Sequence, residues 1–396
     1  MPWKATCPMD ERMQFITAWL KGEDSMSGLC RRYGVSRKTG YKWCERYTAE
    51  GPAGLQERSH APHRQARVVA FSAAQAILAL RAIHPRWGPR KLRAWLEQRR
   101  GGTWPASSTI GALLQRAGLT VPRRSRRRTG AAGVCTAAGG ANEVWAADFK
   151  GWFRTGNGRR CEPLTISDVY SRYLLRCQVV PASGVALVRP LFEATFREFG
   201  LPRVIRTDNG APFAAATTTG LSRLAVWWIR LGIRPERIEP GHPEQNAEHE
   251  RMHRTLKLET ATPPCGTPGA QQRAFDGFRR LYNEERPHEA LNQQPPATWY
   301  TPSPRAYPER LPAVEYPETY IVRRAHPNGE IKWRGRRVLI SQSLAGEPVG
   351  VEEIADGRWR VWFGPVELGW LDAHRPERLH ALGITQDCHP SARSKL

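Results

Sequence analysis

The spacing of apolar residues changes character along this chain of 396 residues. At first they recur every three or four positions, the rhythm of a helix with one buried stripe. This predicts helices over Asp10 to Leu20, Ser25 to Tyr33 and Ser36 to Tyr47. Leu29, Cys30 and Tyr33 share a face, Gly34 turns the chain, and Ser36 can cap a helix bearing Arg37, Lys38, Tyr41, Lys42 and Trp43. A tight turn into a cation-bearing helix is a helix-turn-helix signature, with Ser36 to Tyr47 as the recognition helix.

The same rhythm returns after a Pro/His/Arg stretch near Ser59 to Arg67, predicting helices over Ala73 to His84, Gly88 to Gln98 and Ser107 to Ala117. Pro89 suits the first turn of the middle helix. There Leu92, Trp95 and Leu96 form an apolar stripe, with Arg90, Lys91 and Arg93 largely off it. A second DNA-binding helical unit is the expectation.

From Glu143 the period falls to two. Strands are expected over Val144 to Phe153, Leu164 to Val169 and Tyr173 to Val180, with Gly156-Asn157-Gly158 as a hairpin turn. A helix over Val185 to Phe199, a strand over Val204 to Ile205, a helix over Leu221 to Leu231 and another after Pro243 follow. Strands first, then strands alternating with helices, imply one central sheet flanked by helices. Beyond Pro308 only short strands appear: Tyr320 to Arg323, Glu330 to Trp333, Arg337 to Ile340, Val349 to Glu353, Arg358 to Phe363 and Val366 to Leu371, with turns at Asn328-Gly329 and Asp356-Gly357. The domain plan is therefore helix-turn-helix 1–58, second helical unit 68–120, basic flexible linker 121–142, α/β core 143–305, small barrel-like all-β domain 306–380 and tail 381–396.

Charge narrows the partner. The formal net charge is +23, and Arg81 to Arg128 sets thirteen Lys or Arg against one acid, Glu97. Arg123, Arg124, Arg126, Arg127 and Arg128 crowd the linker. Such a stripe displaces condensed counterions from nucleic acid, giving salt-sensitive, sequence-independent affinity. The eight cysteines form no C-x-x-C pair, so neither a disulfide framework nor a cysteine zinc site is indicated. With no apolar run of about 18 residues and no leader pattern, the chain reads as soluble and intracellular, without a membrane partner.

Three carboxylates carry the candidate chemistry. Asp148 sits on a strand, Asp208 opens Asp208-Asn209-Gly210 after another, and Glu250 shares a helix face with Asn246, Arg254 and Lys257 while Met252 and Leu256 lie opposite. Three carboxylates hold hard cations such as Mg²⁺ or Mn²⁺ through oxygen, and two ions about 4 Å apart serve in-line phosphoryl displacement.

The constellation resembles the DDE integrase core shared by bacterial insertion-sequence transposases and retroviral integrases, and the match is close to the insertion-sequence branch. The resemblance rests on Trp145-x-x-Asp148, Asp168-x-x-Ser171-Arg172, Thr207-Asp208-Asn209-Gly210, Gly241-His242-Pro243, Asn246-Ala247-x-x-Glu250, Arg254-Thr255-Leu256-Lys257 and Tyr282-Asn283-x-x-Arg286-Pro287-His288-x-Ala290-Leu291. It implies an RNase H-like core with a mixed five-stranded sheet, and Asp148, Asp208 and Glu250 as catalytic residues and ligands of two Mg²⁺ or Mn²⁺ ions. Lys257 matches a family lysine that approaches the DNA end.

Asp208 and Glu250 are separated by 41 residues where familiar members have about 35, and Glu244 would restore that count. The local register of Asn246 and Lys257 favours Glu250 over Glu244 or Glu248, with the extra residues assigned to Ala214 to Gly220. Also implied are double-stranded DNA partners (element ends and target), a homo-oligomer on DNA, and a bacterial cytoplasmic, nucleoid-associated location. Arg37, Lys38, Lys42, Arg90, Lys91, the five linker arginines, Asn246, Arg254 and Lys257 are the expected nucleic-acid contacts. A decayed, non-catalytic repressor and a nuclease that cuts without joining are the rival readings.

Overall fold

The computed structural model describes residues 7–58, 69–120, 135–355 and 357–382, and the chain divides into two compact units, 1–70 and 71–396. In the first, α1 (Pro8–Leu20), α2 (Met26–Arg32) and α3 (Arg37–Glu50) enclose Phe15, Ile16, Leu29, Trp43 and Leu55. Ser25 and Ser36 cap α2 and α3, accepting from the amides of Gly28 and Thr39. Packing is close enough that a Cβ on Gly40 would lie 2.7 Å from the Cys30 sulfur. Arg37, Lys38 and Lys42 remain exposed on α3. The five linker arginines, Arg123, Arg124, Arg126, Arg127 and Arg128, lie outside the described residues, as do most of 121–142 and the tail beyond 382.

The second unit opens with α4 (Phe71–Ile83), α5 (Pro89–Arg100) and α6 (Ser107–Arg116), closed around Ile77, Trp87, Leu92, Leu96, Ile110 and Leu114. Trp95 is only half-buried, whereas Ala94 is buried, because α5 has a second covered face. Along it Lys91 donates to the Pro287 carbonyl, while at its exposed rim Arg90 pairs with Glu289 and the Gln98 side chain donates to the Gln293 carbonyl at 2.9 Å. Lys91, expected on nucleic acid, is thus turned into the protein. The period of one helix cannot reveal that its charged face meets another part of the chain.

Burial, reinforced by Arg286, lowers the Lys91 ammonium to about 7. A lysine whose folded pKa is depressed binds its proton more weakly folded than unfolded, so stability is lost as pH falls from the unfolded value toward 7 and is flat below. Lys91→Met is therefore expected to be more stable than wild type at pH 7, by at most about 4 kcal/mol. The gap should close toward pH 10 in urea melts, and one that widens with pH would contradict this placement.

The α/β core runs β1 (Val144–Phe149), β2 (Phe153–Arg154), β3 (Arg160–Asp168), β4 (Leu174–Val180), α7 (Val185–Phe199), β5 (Val204–Thr207), α8 (Arg223–Arg230), β6 (Arg234–Arg237), α9 (Ala247–Thr260) and α10 (Pro268–Glu284). Strands lie in the order β4-β3-β1-β5-β6, antiparallel as far as β1 and parallel from β1 to β6, with short β2 also paired to β3. Alternation sends Trp145, Ala147, Leu164, Ile166 and Ile205 to one face, against Phe192, Phe196 and Trp228 of α7 and α8. On the other face Met252 and Leu256 of α9 and Phe275 and Phe278 of α10 close over Cys161, Leu174 and Cys177. This mixed sheet covered by helices on both faces is the expected RNase H-like core.

The last domain is a seven-stranded sheet of β7 (Ile321–Arg324), β8 (Glu330–Trp333), β9 (Arg336–Leu339), β10 (Pro348–Ala355), β11 (Arg358–Phe363), β12 (Val366–Asp372) and β13 (Arg375–Ala381), ordered β7-β10-β11-β12-β13-β9-β8. Trp333, Val351, Trp359, Val361, Phe363 and Leu371 fill it, joined by Ala225, Val226 and Ile229 of α8. Helix α8 is therefore apolar on both sides, with Leu224, Trp227 and Trp228 turned to the central sheet. Among the described residues no helix is long and apolar enough to cross a membrane.

Candidate active site

Asp148 stands near the carboxyl end of β1. The parallel β1/β5 register pairs Ala147 with Thr207, so the next rung sets Asp148 beside Asp208 on strands about 4.8 Å apart. Crevices at the carboxyl ends of parallel strands are where open α/β sheets receive ligands. Asp208 accepts from the Gly210 amide at 3.1 Å, and a Cβ on Gly210 would lie 3.0 Å from the Asp208 carboxylate, so glycine keeps that carboxylate in its turn. The Asn209 side chain donates to the Ile238 carbonyl at 2.8 Å and ties the turn to the chain leaving β6.

Helix α9 brings the third carboxylate. Glu250 is exposed in its first turn, with Arg254 and Lys257 exposed further along, Asn246 buried just before the helix, and Met252 and Leu256 buried. Burial, then Asp208, then more weakly Glu250 push the Asp148 carboxyl up to about 7. Like charges gathered at one buried carboxylate, which Lys150 offsets only in part, are what a bound divalent ion would relieve.

The competing acids are engaged elsewhere: Glu248 pairs with Arg172, and Glu244 meets the His242 Nδ1 at 2.8 Å. The chain between Asp208 and α8 contains a loop pinched shut by the bridge of Ala214 to Leu221, the segment to which the extra spacing was assigned. Asp168, fully buried, accepts from the Asn142 amide at 2.8 Å, the Ser171 amide at 2.8 Å and the Ser171 hydroxyl at 2.6 Å. Its bonds are spent on holding a turn.

Sequence reasoning passed over two histidines. His249 and His253, one turn apart on the buried side of α9, meet the Thr165 hydroxyl through their Nε2 atoms at 2.7 and 2.5 Å. Thr165 Oγ1 in turn donates to the Asp148 carbonyl at 3.1 Å, and His249 Nδ1 lies 2.9 Å from the Ser167 hydroxyl. One proton assignment satisfies every bond: both Nε2–H groups donate to Thr165, which donates to Asp148, and Ser167 donates to His249. The His253 Nδ1 lone pair then faces the Asp148 carboxylate at 3.6 Å.

Burial lowers the His249 imidazole to about 3, and burial, then His249 and Lys150, lower His253. Both rings are neutral, and the contact with Asp148 is not an ion pair. Asp148, His249 and His253 bring one ligand atom each within 4.8 Å of one another. The i, i+4 spacing of two histidines around Glu250 was the available signal.

Known proteins place these elements in a family. Residues 11–63 match a helix-turn-helix domain and 39–114 a homeodomain-like domain. Residues 139–243 and 231–296 match the integrase core domain, and 320–378 the C-terminal domain of IS481 family transposases. A 31.7 kDa protein of insertion element IS407 from Burkholderia multivorans is 34% identical over 220 residues, covering 54% of this chain and 74% of that one. A 39.2 kDa protein of insertion element IS476 from Xanthomonas euvesicatoria is 31% identical over 288 residues, covering 70% and 79%. The HTLV-2 integrase catalytic core domain, in complex with magnesium, aligns with 42% of this chain and 100% of its own at 12% identity and a TM-score of 0.31. From helix-turn-helix through integrase core to the IS481-type C-terminal domain, the chain belongs to the integrase-core transposases of bacterial insertion sequences.

Proposed function

We propose that Asp148, Asp208 and Glu250 are the catalytic and metal-binding residues of this transposase. It cuts at the terminal inverted repeats of its element and joins the freed ends to target DNA. One observation carries the assignment: burial, then Asp208 and, more weakly, Glu250 raise Asp148 to about 7, so carboxylates from β1, the end of β5 and α9 are felt at one site. Their donors are all oxygen, which suits Mg²⁺ or Mn²⁺ in a pair. Such ions supply activation of water or a DNA 3′-hydroxyl and charge stabilisation of the displaced oxygen.

The chain's own residues position the reactants. Arg254 and Lys257, exposed on the helix that bears Glu250, neutralise phosphates beside the scissile bond. Asn246, buried at the start of that helix, shapes the entrance to the site. Thr165 and His253 hold the β1 segment under Asp148. Arg37, Lys38 and Lys42 on α3 read or grip the element end, while Arg90 and the linker arginines 123, 124, 126, 127 and 128 add phosphate contacts. Lys91 serves the α5 dock in the arrangement described above. Joining two ends to one target calls for a homo-oligomer on double-stranded DNA, working at the nucleoid of a bacterial cytoplasm.

The test is a strand-transfer assay with Mg²⁺ on DNA carrying the sequences that flank this gene. Joined products are expected. Cut but unjoined ends would favour a nuclease, and tight end binding with no chemistry a repressor. In the same system Arg37→Ala with Lys38→Ala is expected to weaken end binding and to flatten the slope of log affinity against log salt by about 2, near 0.9 per phosphate contact. An unchanged slope would remove α3 from the DNA.

A further inference from the structure

Four residues beyond Asp148 the chain carries a surface that the catalytic reading does not use. Lys150 to Arg160 contains four cations, Lys150, Arg154, Arg159 and Arg160, and no acid; the buried Glu162, just beyond it in sequence, pairs with Arg160 and leaves the stretch with a clear positive excess. At its centre is Trp152, 56% exposed. The Arg160 guanidinium lies 4.8 Å and that of Arg154 5.8 Å from its ring centre.

The fold builds this arrangement. Strand β2 pairs Phe153 with Cys161 and Arg154 with Arg160, so Phe153 turns inward to the cluster under α9 and α10, while Trp152 and both arginines share the opposite side. Anchored through its neighbour, the indole is held out at the edge of the sheet. Four residues of extended chain reach at most about 14 Å, which places Trp152 within about four base steps of Asp148 at 3.4 Å per step.

We propose that Trp152 is a stacking platform for a nucleobase of the DNA held at the active site, unpaired beside the scissile phosphate, with Arg154 and Arg160 gripping the adjoining backbone. An aromatic face set among cations suits unpaired nucleic acid, since every base has a π face and every nucleotide a phosphate. The same charge set would repel an identical surface on a second copy. A base leaves its stack most readily where the duplex is already opened for cutting, which accounts for a platform this near the carboxylates. The inference rests on the catalytic reading of Asp148.

The test uses the full-length chain with Glu250→Gln, so that contact is read without chemistry, and element-end duplexes with 2-aminopurine at each of the four positions on either side of the cut. Emission at one position is expected to be quenched severalfold, released by Trp152→Ala and retained by Trp152→Phe. With Glu250 intact, Trp152→Ala is expected to lower strand transfer about tenfold while end binding changes less than threefold, stacking being worth about a factor of 5 to 150. Quenching that survives Trp152→Ala, or none at any position, overturns the proposal. So does a dimer lost on Trp152→Ala with emission unchanged, which would make the surface a protein contact. A Glu250→Gln protein that still cuts would overturn the catalytic assignment instead, leaving the fluorescence result to stand on its own.

Discussion

Glu250→Gln is expected to abolish cutting and joining, by about a thousandfold or more, with end binding intact. The loss is large because positioning and charge stabilisation are most of what such a site contributes, and a neutral amide removes one of three anionic ligands. The matched controls are Glu244→Gln and Glu248→Gln. Glu244 is held by His242 and Glu248 by Arg172, so each should stay within about tenfold of wild type in a gel assay of joined products. A Glu244→Gln protein as dead as Glu250→Gln would move the third carboxylate to the position that spacing alone prefers.

The second large effect concerns stability. Asp148 is raised to about 7 from an ordinary value of 3.8, so the folded chain binds this proton more tightly than the unfolded one. Its stabilising contribution is complete below about pH 4 and is lost as pH rises through 7. At pH 8 the metal-free protein therefore holds a carboxylate costing up to about 4 kcal/mol, from some three units at 1.36 kcal/mol each. Asp148→Asn is expected to melt several degrees above wild type at pH 8 without metal, and to match it near pH 4. Adding Mg²⁺ should raise the wild-type midpoint, since a ligand for the folded state stabilises it, and leave Asp148→Asn nearly unmoved. A variant less stable than wild type at pH 8 would mean that the Asp148 charge is compensated within the protein.

Much of this fold was legible because its strongest signals are local. The capping serines of α2 and α3, the alternation of β1 and the strands of the last domain all depend on a few neighbouring residues; each fell within three residues of its expected ends except β1, which stops at Phe149 where Phe153 was expected, because Gly151 breaks the strand before β2. Strand β6 escaped because Arg234-Pro235-Glu236-Arg237 has no large apolar residue. It is an edge strand, half-buried throughout, where proline is tolerated. The seventh strand of the last domain, β13, escaped for a similar reason: its Arg-Pro-Glu-Arg start hides the alternation.

At the site, motif residues marked the carboxylates, but apart from the i, i+4 spacing of His249 and His253 nothing local marked what surrounds them. His249 and His253 matter through Thr165, more than eighty positions away. Lys91 looked like a free cation until Pro287 met it, nearly two hundred positions on. Chemistry that depends on residue type can be read along a chain, whereas chemistry that depends on who covers whom is written in the tertiary structure.

Helix α8 gives one more result, for how such proteins can change. Its Leu224, Trp227 and Trp228 belong to the catalytic sheet, and its Ala225, Val226 and Ile229 to the last domain. A shortened product ending near residue 310 would bare that second side to water and present a sticky, half-finished surface. Exchange of the C-terminal module between elements is likewise constrained, because the donor must bring an interior that accepts these three side chains. The boundary drawn between the two domains in sequence is, in the folded protein, a shared wall.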